Sequence, residues 1–138
     1  MAGGRGTRLM PLTKNRPKPM VPVLGRPVID YVKDAMIAAG LTEIIVTTGH
    51  QGEQLVSHVD SWDAKSRVNQ ENTPMGTAGS VKLLSDQLTE TFVVGSGDSV
   101  ASFDIEDLLE SHQKSGAKVT MALWEVDDPT AVSYTHLR

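Results

Sequence analysis

The sequence of 138 residues contains no cysteine, which excludes disulfides and thiolate metal sites. It has no apolar run near the ~20 residues needed to span a bilayer. It also has no apolar signal-peptide core at its start, because Gly3, Gly4, Arg5 and Gly6 interrupt any such run at once. A cytoplasmic location away from the membrane is the resulting expectation. Internal repeats, low-complexity tracts and a dividing linker are likewise missing. The net charge of −4 argues against a general nucleic-acid binder, whose surface is normally basic. With 39% hydrophobic and 22% charged residues, the length fits one globular domain with a real core.

The most informative shortage is local. No acidic residue precedes Asp30, whereas Arg5, Arg8, Lys14, Arg16, Lys18 and Arg26 all lie within residues 1–26. That segment carries +6, while residues 27–138, with 7 basic and 17 acidic residues, carry −10. A solvated basic arm would account for the charge, but not for the glycines and prolines mixed with it. A site for an anion accounts for both.

Periodicity supplies the framework. Pro27 suits the first position of a helix whose stripe is Val28, Ile29, Val32, Ala35, Met36 and Ala39, and Gly40 suits its stop. Glu43–Thr48 reads as a buried strand, Glu53–Val59 as a short helix and Ser66–Glu71 as a weaker strand. Ala78–Leu88 has helical spacing, Phe92–Ser96 reads as a strand, Ile105–Lys114 as a helix and Lys118–Val126 as a strand. Alternation of this kind predicts an α/β fold with a mainly parallel sheet and helices on both faces. Ligands of such sheets bind beyond the carboxyl ends of the strands, where Gly49-His50, Glu71 onward and Gly97-Asp98 fall. A glycine-rich loop in this architecture should follow a strand, yet only Met1 and Ala2 precede Gly3. The expectation is a fragment that has lost its first strand.

The loop Gly3-Gly4-Arg5-Gly6 does not complete the dinucleotide fingerprint, because Leu9 stands at its last position, and no G-K-[ST] makes a P-loop. A redox dinucleotide enzyme is therefore disfavoured. The glycines would let backbone N–H groups approach phosphate oxygens. Arg8 offers a planar fork and Lys18 a compact charge, with Pro11, Pro17 and Pro19 restricting the chain between and around them. For the loop alone, a purely structural turn remains an equal alternative.

The run GGRGTRLMPLTKNRPKPMVPVLGRPVI closely resembles the signature of the sugar-1-phosphate nucleotidylyltransferases, G-x-G-T-R-L-x-P-L-T followed by P-K-P-M-x-P-V and P-[IVL]-I. The resemblance runs from Gly3 to about Thr130 and covers the N-terminal half of a typical catalytic domain. It implies a Rossmann-like fold, the N-terminal part of a nucleotide-diphospho-sugar transferase. It also implies attack of a sugar-1-phosphate oxygen on the α-phosphorus of a nucleoside triphosphate, with Mg²⁺ as cofactor. By that resemblance Gly3, Gly4, Gly6 and Thr7 wrap the nucleotide phosphates. Arg8 grips the β,γ-phosphates and Lys18 neutralises charge near the α-phosphate.

Glu71-Asn72-Thr73-Pro74-Met75-Gly76-Thr77-Ala78-Gly79, read alone, is a turn with a capping threonine. Its similarity to the family's E-x-x-P-L-G-T-A-G segment implies that Glu71, Pro74, Gly76 and Thr77 line the base, and Gly49 sits where the family has a glycine near the nucleotide. A carboxylate at Glu71 could accept paired donors from a guanine edge. Asp98, read alone, is a turn or cap residue. Its resemblance to the family's G-D motif implies a Mg²⁺ ligand, with Gly97 letting sugar or ribose approach. Asp104 is expected to cap the helix that follows it. His50, His58, His112 and His136 show no ligand spacing and read as surface or packing residues, as does Trp124.

The family's second half should supply a sugar-phosphate lysine and a second metal-binding aspartate, and neither follows VDDPT. The expected organisation is a partial nucleotidyltransferase domain over residues 1–132 and a non-family tail over 133–138. Such a piece is expected to be inactive alone and to leave core faces exposed. The preferred substrates of the parent are GTP and mannose 1-phosphate, with glucose 1-phosphate and dTTP, UTP or ATP close behind. A non-catalytic nucleotide-sugar-binding regulatory subunit is a further alternative, against which intact Arg8, Lys18 and Asp98 weigh. A homo-oligomeric parent stays open, and neither nucleic acid nor membrane is an expected partner.

Overall fold

The computed structural model describes residues 1–3, 6–49, 52–73, 75–100, 103–123 and 125. Two units are distinguished, Met1–Ser102 and Phe103–Arg138.

The first unit is built on a parallel pair of strands. Helix α1, Val28–Ala38, turns Val28 and Ile29 inward, and Gly40, at φ 79°, ends it. Pro27 is its N-cap rather than its first turn, because residues 22–27 form a small hairpin that hands the chain to the helix. That hairpin, β1 (Pro22–Val23) and β2 (Arg26–Pro27), turns through Leu24 and Gly25, both at positive φ. Strand β3, Ile44–Thr48, pairs in parallel with β4, Ser66–Gln70, from Ile44↔Ser66 to Thr48↔Gln70. Helix α2, Gly52–Val59, makes the crossover between them. The core joins Ile29, Leu55 and Val59 from the helices to Ile44 and Val46 of β3 and to Ala2. Met20, Met36, Trp62 and Val68 pack around it.

The N-terminal residues enter this sheet. Ala2 N–H donates to Thr47 O at 2.8 Å, on the side of β3 away from β4. The Met1 ammonium donates to Gly95 O at 2.7 Å, and Gly97 N–H returns a bond to Met1 O at 2.8 Å. Those two bonds are the pattern of a parallel pairing of Met1 with Ser96. The lateral order is thus β4, β3, Met1–Ala2, then residues 95–97. The expected strand Phe92–Ser96 forms no full ladder: among the described residues only Met1 pairs with it in strand fashion, and Phe92 and Val94 stay exposed.

Helix α3, Gly76–Lys82, begins earlier and ends sooner than the expected Ala78–Leu88. Beyond it the chain tightens into successive turns, with Leu84 N–H on Val81 O and Gln87 N–H on Leu84 O, while Leu84 remains buried. In the second unit α4, Ile105–Ser115, is capped by Asp104, whose Oδ1 accepts Glu106 N–H at 2.8 Å and Asp107 N–H at 3.4 Å. The expected strand Lys118–Val126 is corrected over its described part. Val119, Met121 and Leu123 are 74%, 69% and 80% exposed and no described strand pairs with them, so that alternation finds no sheet to join. Trp124, His136 and the tail 133–138 lie outside the described residues. No described helix is long and apolar enough to cross a membrane.

Candidate functional site

The predicted site segments meet at the carboxyl end of the parallel strands. Glu71 N–H donates to Thr48 O at 2.7 Å, tying the exit of β4 to the exit of β3. A Cβ on Gly3 would lie 3.7 Å from Gly49 N, so the glycine loop starts beside the turn that leaves β3.

Gly6 anchors the far side of that loop. Its φ is 62°, and an added Cβ would stand 2.9 Å from Thr13 Cγ2 and 3.2 Å from Lys18 Cβ. Only glycine accepts both the left-handed backbone and the close approach. Thr13, buried, donates its hydroxyl to Gly6 O at 2.7 Å and holds the loop over the stem of Lys18. Lys18 opens a short 3-10 turn, Lys18–Met20, between the buried rings of Pro17 and Pro19. The proline-fixed backbone therefore delivers the ammonium to one place.

That place is Asp98. Lys18 Nζ lies 2.6 Å from Asp98 Oδ2, while Oδ1 accepts the Ser96 hydroxyl at 2.7 Å and the Ser99 hydroxyl at 3.4 Å. Burial pushes the Asp98 carboxyl up, but the Lys18 ammonium and the Ser96 hydroxyl outweigh it and hold the group below its usual value. The carboxylate stays ionised and faces the loop of Gly6 through Lys18.

Arg8 lies in the exposed 3-10 turn Thr7–Leu9. Thr7 is exposed there too. Gly49 is half-buried behind β3. Gly76 and Thr77 form the first turn of α3. The expected threonine cap is not used: the cap position is Met75, and the Glu71 carboxylate accepts the Met75 N–H at 3.3 Å instead. Glu71 is long enough to span the turn, whereas Thr77 is already inside the helix. Gly97 has a packing reason for being glycine, since a Cβ there would come within 3.1 Å of Met1 O and 3.7 Å of Ile29 Cδ1. Gly4 and Pro74 lie outside the described residues, as does His50.

Residue patterns alone did not single out Thr13, Ser96 or Ser99. Thr13 sits in the stretch L-T that follows the loop, and the two serines flank Asp98, which is the signal available for them. The two described histidines have local partners: His58 Nε2 is 2.7 Å from Asp30 Oδ1, and His112 Nδ1 is 2.9 Å from Thr120 Oγ1. Among the described residues no group of three or more His, Asp or Glu gathers to hold a metal. Asp98 is thus a single carboxylate with hydroxyl neighbours. Chemically, these residues offer backbone amides, an ammonium fixed by prolines, an exposed guanidinium and one hard anionic donor. This set suits a polyphosphate accompanied by a cation.

Comparison with known proteins identifies the family. The family model described as nucleotidyl transferase matches residues 1–135. A mannose-1-phosphate guanyltransferase of Debaryomyces hansenii is 36% identical over 94% of this chain and 38% of its own length. Mannose-1-phosphate guanylyltransferase 1 of Arabidopsis thaliana is 31% identical over the same shares. The chain therefore spans 38% of the length of these curated relatives. Among solved structures, HddC from Yersinia pseudotuberculosis complexed with GMP-PN superposes with a TM-score of 0.71 at 29% identity, covering 80% of this chain and 51% of that one. The α/β arrangement is Rossmann-like, and with nearly every residue matched, the chain belongs to the nucleotidyl transferase family.

Proposed function

We propose that this chain forms the triphosphate-binding part of an enzyme that transfers a nucleotidyl group from a nucleoside triphosphate to a sugar 1-phosphate. GTP and mannose 1-phosphate are the preferred pair. In the reaction a phosphate oxygen of the sugar attacks the α-phosphorus, the bond from that phosphorus to the bridging oxygen breaks, and pyrophosphate leaves with the electron pair. No proton transfer or covalent enzyme intermediate is needed. The protein's task is to hold two anions in line and neutralise the charge that moves to the leaving group.

The observation that carries the reading is the Lys18–Asp98 contact beneath the Gly6 loop. Lys18 would stabilise charge near the α-phosphate, Arg8 would follow the β- and γ-phosphates, and the loop amides of Gly3, Gly4, Gly6 and Thr7 would cradle the chain of phosphates. Gly49, Glu71, Pro74, Gly76 and Thr77 would line the base, and Gly97 would border the sugar.

Asp98 fits a Mg²⁺ ion. Its oxygens are hard donors, its carboxyl is held in the ionised form, and a cation, the Lys18 ammonium, already rests against it. Bound there with the nucleotide, Mg²⁺ would supply further neutralisation of phosphate charge. Ser96 and Ser99 would keep the carboxylate oriented through Oδ1.

The choice of GTP and mannose 1-phosphate is supported by the names of the relatives, by the GMP-PN bound to HddC and by the carboxylate at Glu71. Glucose 1-phosphate with another triphosphate is the second reading, because loop, lysine and aspartate do not select a base. The test is pyrophosphate release by the longest polypeptide carrying this sequence, with a panel of triphosphates and sugar 1-phosphates plus Mg²⁺. Turnover fastest with GTP and mannose 1-phosphate supports the proposal. Nucleotide-sugar binding without pyrophosphate release from any pair overturns it in favour of a regulatory subunit.

A further inference from the structure

Both carboxylate oxygens of Asp98 have partners from the chain itself. Oδ2 lies 2.6 Å from Lys18 Nζ, and Oδ1 accepts the Ser96 hydroxyl at 2.7 Å and the Ser99 hydroxyl at 3.4 Å. The two hydroxyls are neutral and leave the carboxylate its charge; Lys18 cancels it. A divalent cation arriving by itself would therefore meet a neutral pair, and would have to settle beside an ammonium that repels it. No cage of carboxylates offsets that cost, since among the described residues no three His, Asp or Glu gather to hold an ion.

Lys18 is also placed so that it can let go. Its backbone is fixed between the buried Pro17 and Pro19, and its Cβ would stand 3.2 Å from a Cβ added to Gly6. The stem is thus pinned beneath the glycine loop at its root. Its outer end is not, because the Lys18 side chain is 36% exposed and that of Asp98 24%. An ion pair so open to water is weakly held. An ammonium is a compact charge on a flexible stem, so it exchanges one oxygen partner for another without losing a two-pronged fit.

We propose that Lys18 is a counter-cation lodged on Asp98, which keeps the carboxylate from free divalent cations until a triphosphate draws the ammonium away. The inference rests on the triphosphate reading given under Proposed function and adds a coupling to it. A triphosphate supplies both an anion for Lys18 and further oxygens for the cation that Asp98 can then accept. Asp98 therefore accepts a divalent cation together with a triphosphate and rejects the same cation alone.

The test uses the longest polypeptide carrying this sequence and no nucleotide. Free Mn²⁺ is read from its electron paramagnetic resonance signal with wild type, Lys18→Met, Arg8→Ala and the double variant Lys18→Met/Asp98→Asn. Lys18→Met is expected to bind Mn²⁺ at least ~10-fold more tightly than wild type, because a repelling charge in contact with the ligand is gone. Arg8→Ala, which removes a cation that does not touch Asp98, should match wild type, and the double variant should lose the gain. Equal affinity in wild type and Lys18→Met overturns the proposal, as does a gain that survives Asp98→Asn or appears equally in Arg8→Ala. Should Lys18→Met not fold, NMR of the wild-type protein decides, through the Lys18 ammonium nitrogen and the Asp98 carboxyl carbon. Mg²⁺ alone should leave both signals in place, and GTP with Mg²⁺ should move both; movement of the Asp98 signal with Mg²⁺ alone overturns the proposal. A Mn²⁺ result against the exchange leaves the triphosphate reading standing. A protein that binds no GTP refutes that reading, while the Mn²⁺ comparison still reports on Lys18.

Discussion

Lys18 and Asp98 form a 2.6 Å ion pair, although most of the first unit separates them in sequence. The pair ties the proline-framed turn after the glycine loop to the end of the residues that pair with Met1. The Asp98 carboxyl is depressed on folding, so its contribution to stability is complete above its ordinary value and is lost as pH falls through the lower folded value. In Asp98→Asn that acid limb should flatten. At neutral pH the loss should be only about 0.5–1 kcal/mol, since both side chains are partly in solvent. Urea denaturation between pH 3 and 7 checks both points, and identical pH dependence in the two proteins would contradict them.

Gly6→Ala should be far more damaging than its exposure suggests. The new Cβ would meet Thr13 and Lys18 at a backbone angle that L-residues avoid. A loss of about 1–3 kcal/mol is expected from denaturant unfolding, together with weaker triphosphate binding. A neutral effect would mean that the loop is not folded over Lys18.

Arg8→Ala should separate binding from stability. Arg8 is exposed, so the unfolding midpoint should not move, while GTP affinity measured by calorimetry should fall ~10-fold or more. Unchanged affinity would remove Arg8 from the site.

Leu55→Ala should cost about 2–5 kcal/mol, because Leu55 is fully buried where α2 joins the core. In the second unit, Asp104→Ala should cost about 1 kcal/mol through loss of its bonds to Glu106 and Asp107, read as reduced helix protection in hydrogen exchange.

Much of this architecture was readable from residue patterns, for identifiable reasons. Helix α1, strand β3, helix α2, strand β4 and helix α4 each carry a local signature, whether an apolar stripe, a β-branched run or an aspartate cap. Segments that depend on a neighbour did not behave as their pattern suggested. Phe92–Ser96 and the described part of Lys118–Val126 alternate like strands, yet a strand exists only where another edge completes its bonds. The end of α3 is set by turns around buried Leu84, which helical spacing does not reveal. The glycine loop, Arg8, Lys18 and Asp98 were visible as residue types. That Lys18 touches Asp98, that Thr13 fastens Gly6 and that Gly97 packs on Met1 are long-range facts that no local window contains.

The central claim is that the Gly6 loop, Lys18 and Asp98 together hold a nucleoside triphosphate. It is tested most directly by titrating GTP with Mg²⁺ into the longest polypeptide carrying this sequence, as wild type and as Lys18→Met. The account predicts saturable binding that weakens at least ~10-fold in the variant, with amide shifts at Gly3, Gly6 and Asp98. Equal affinity in both proteins, with shifts confined to other parts of the fold, would contradict it.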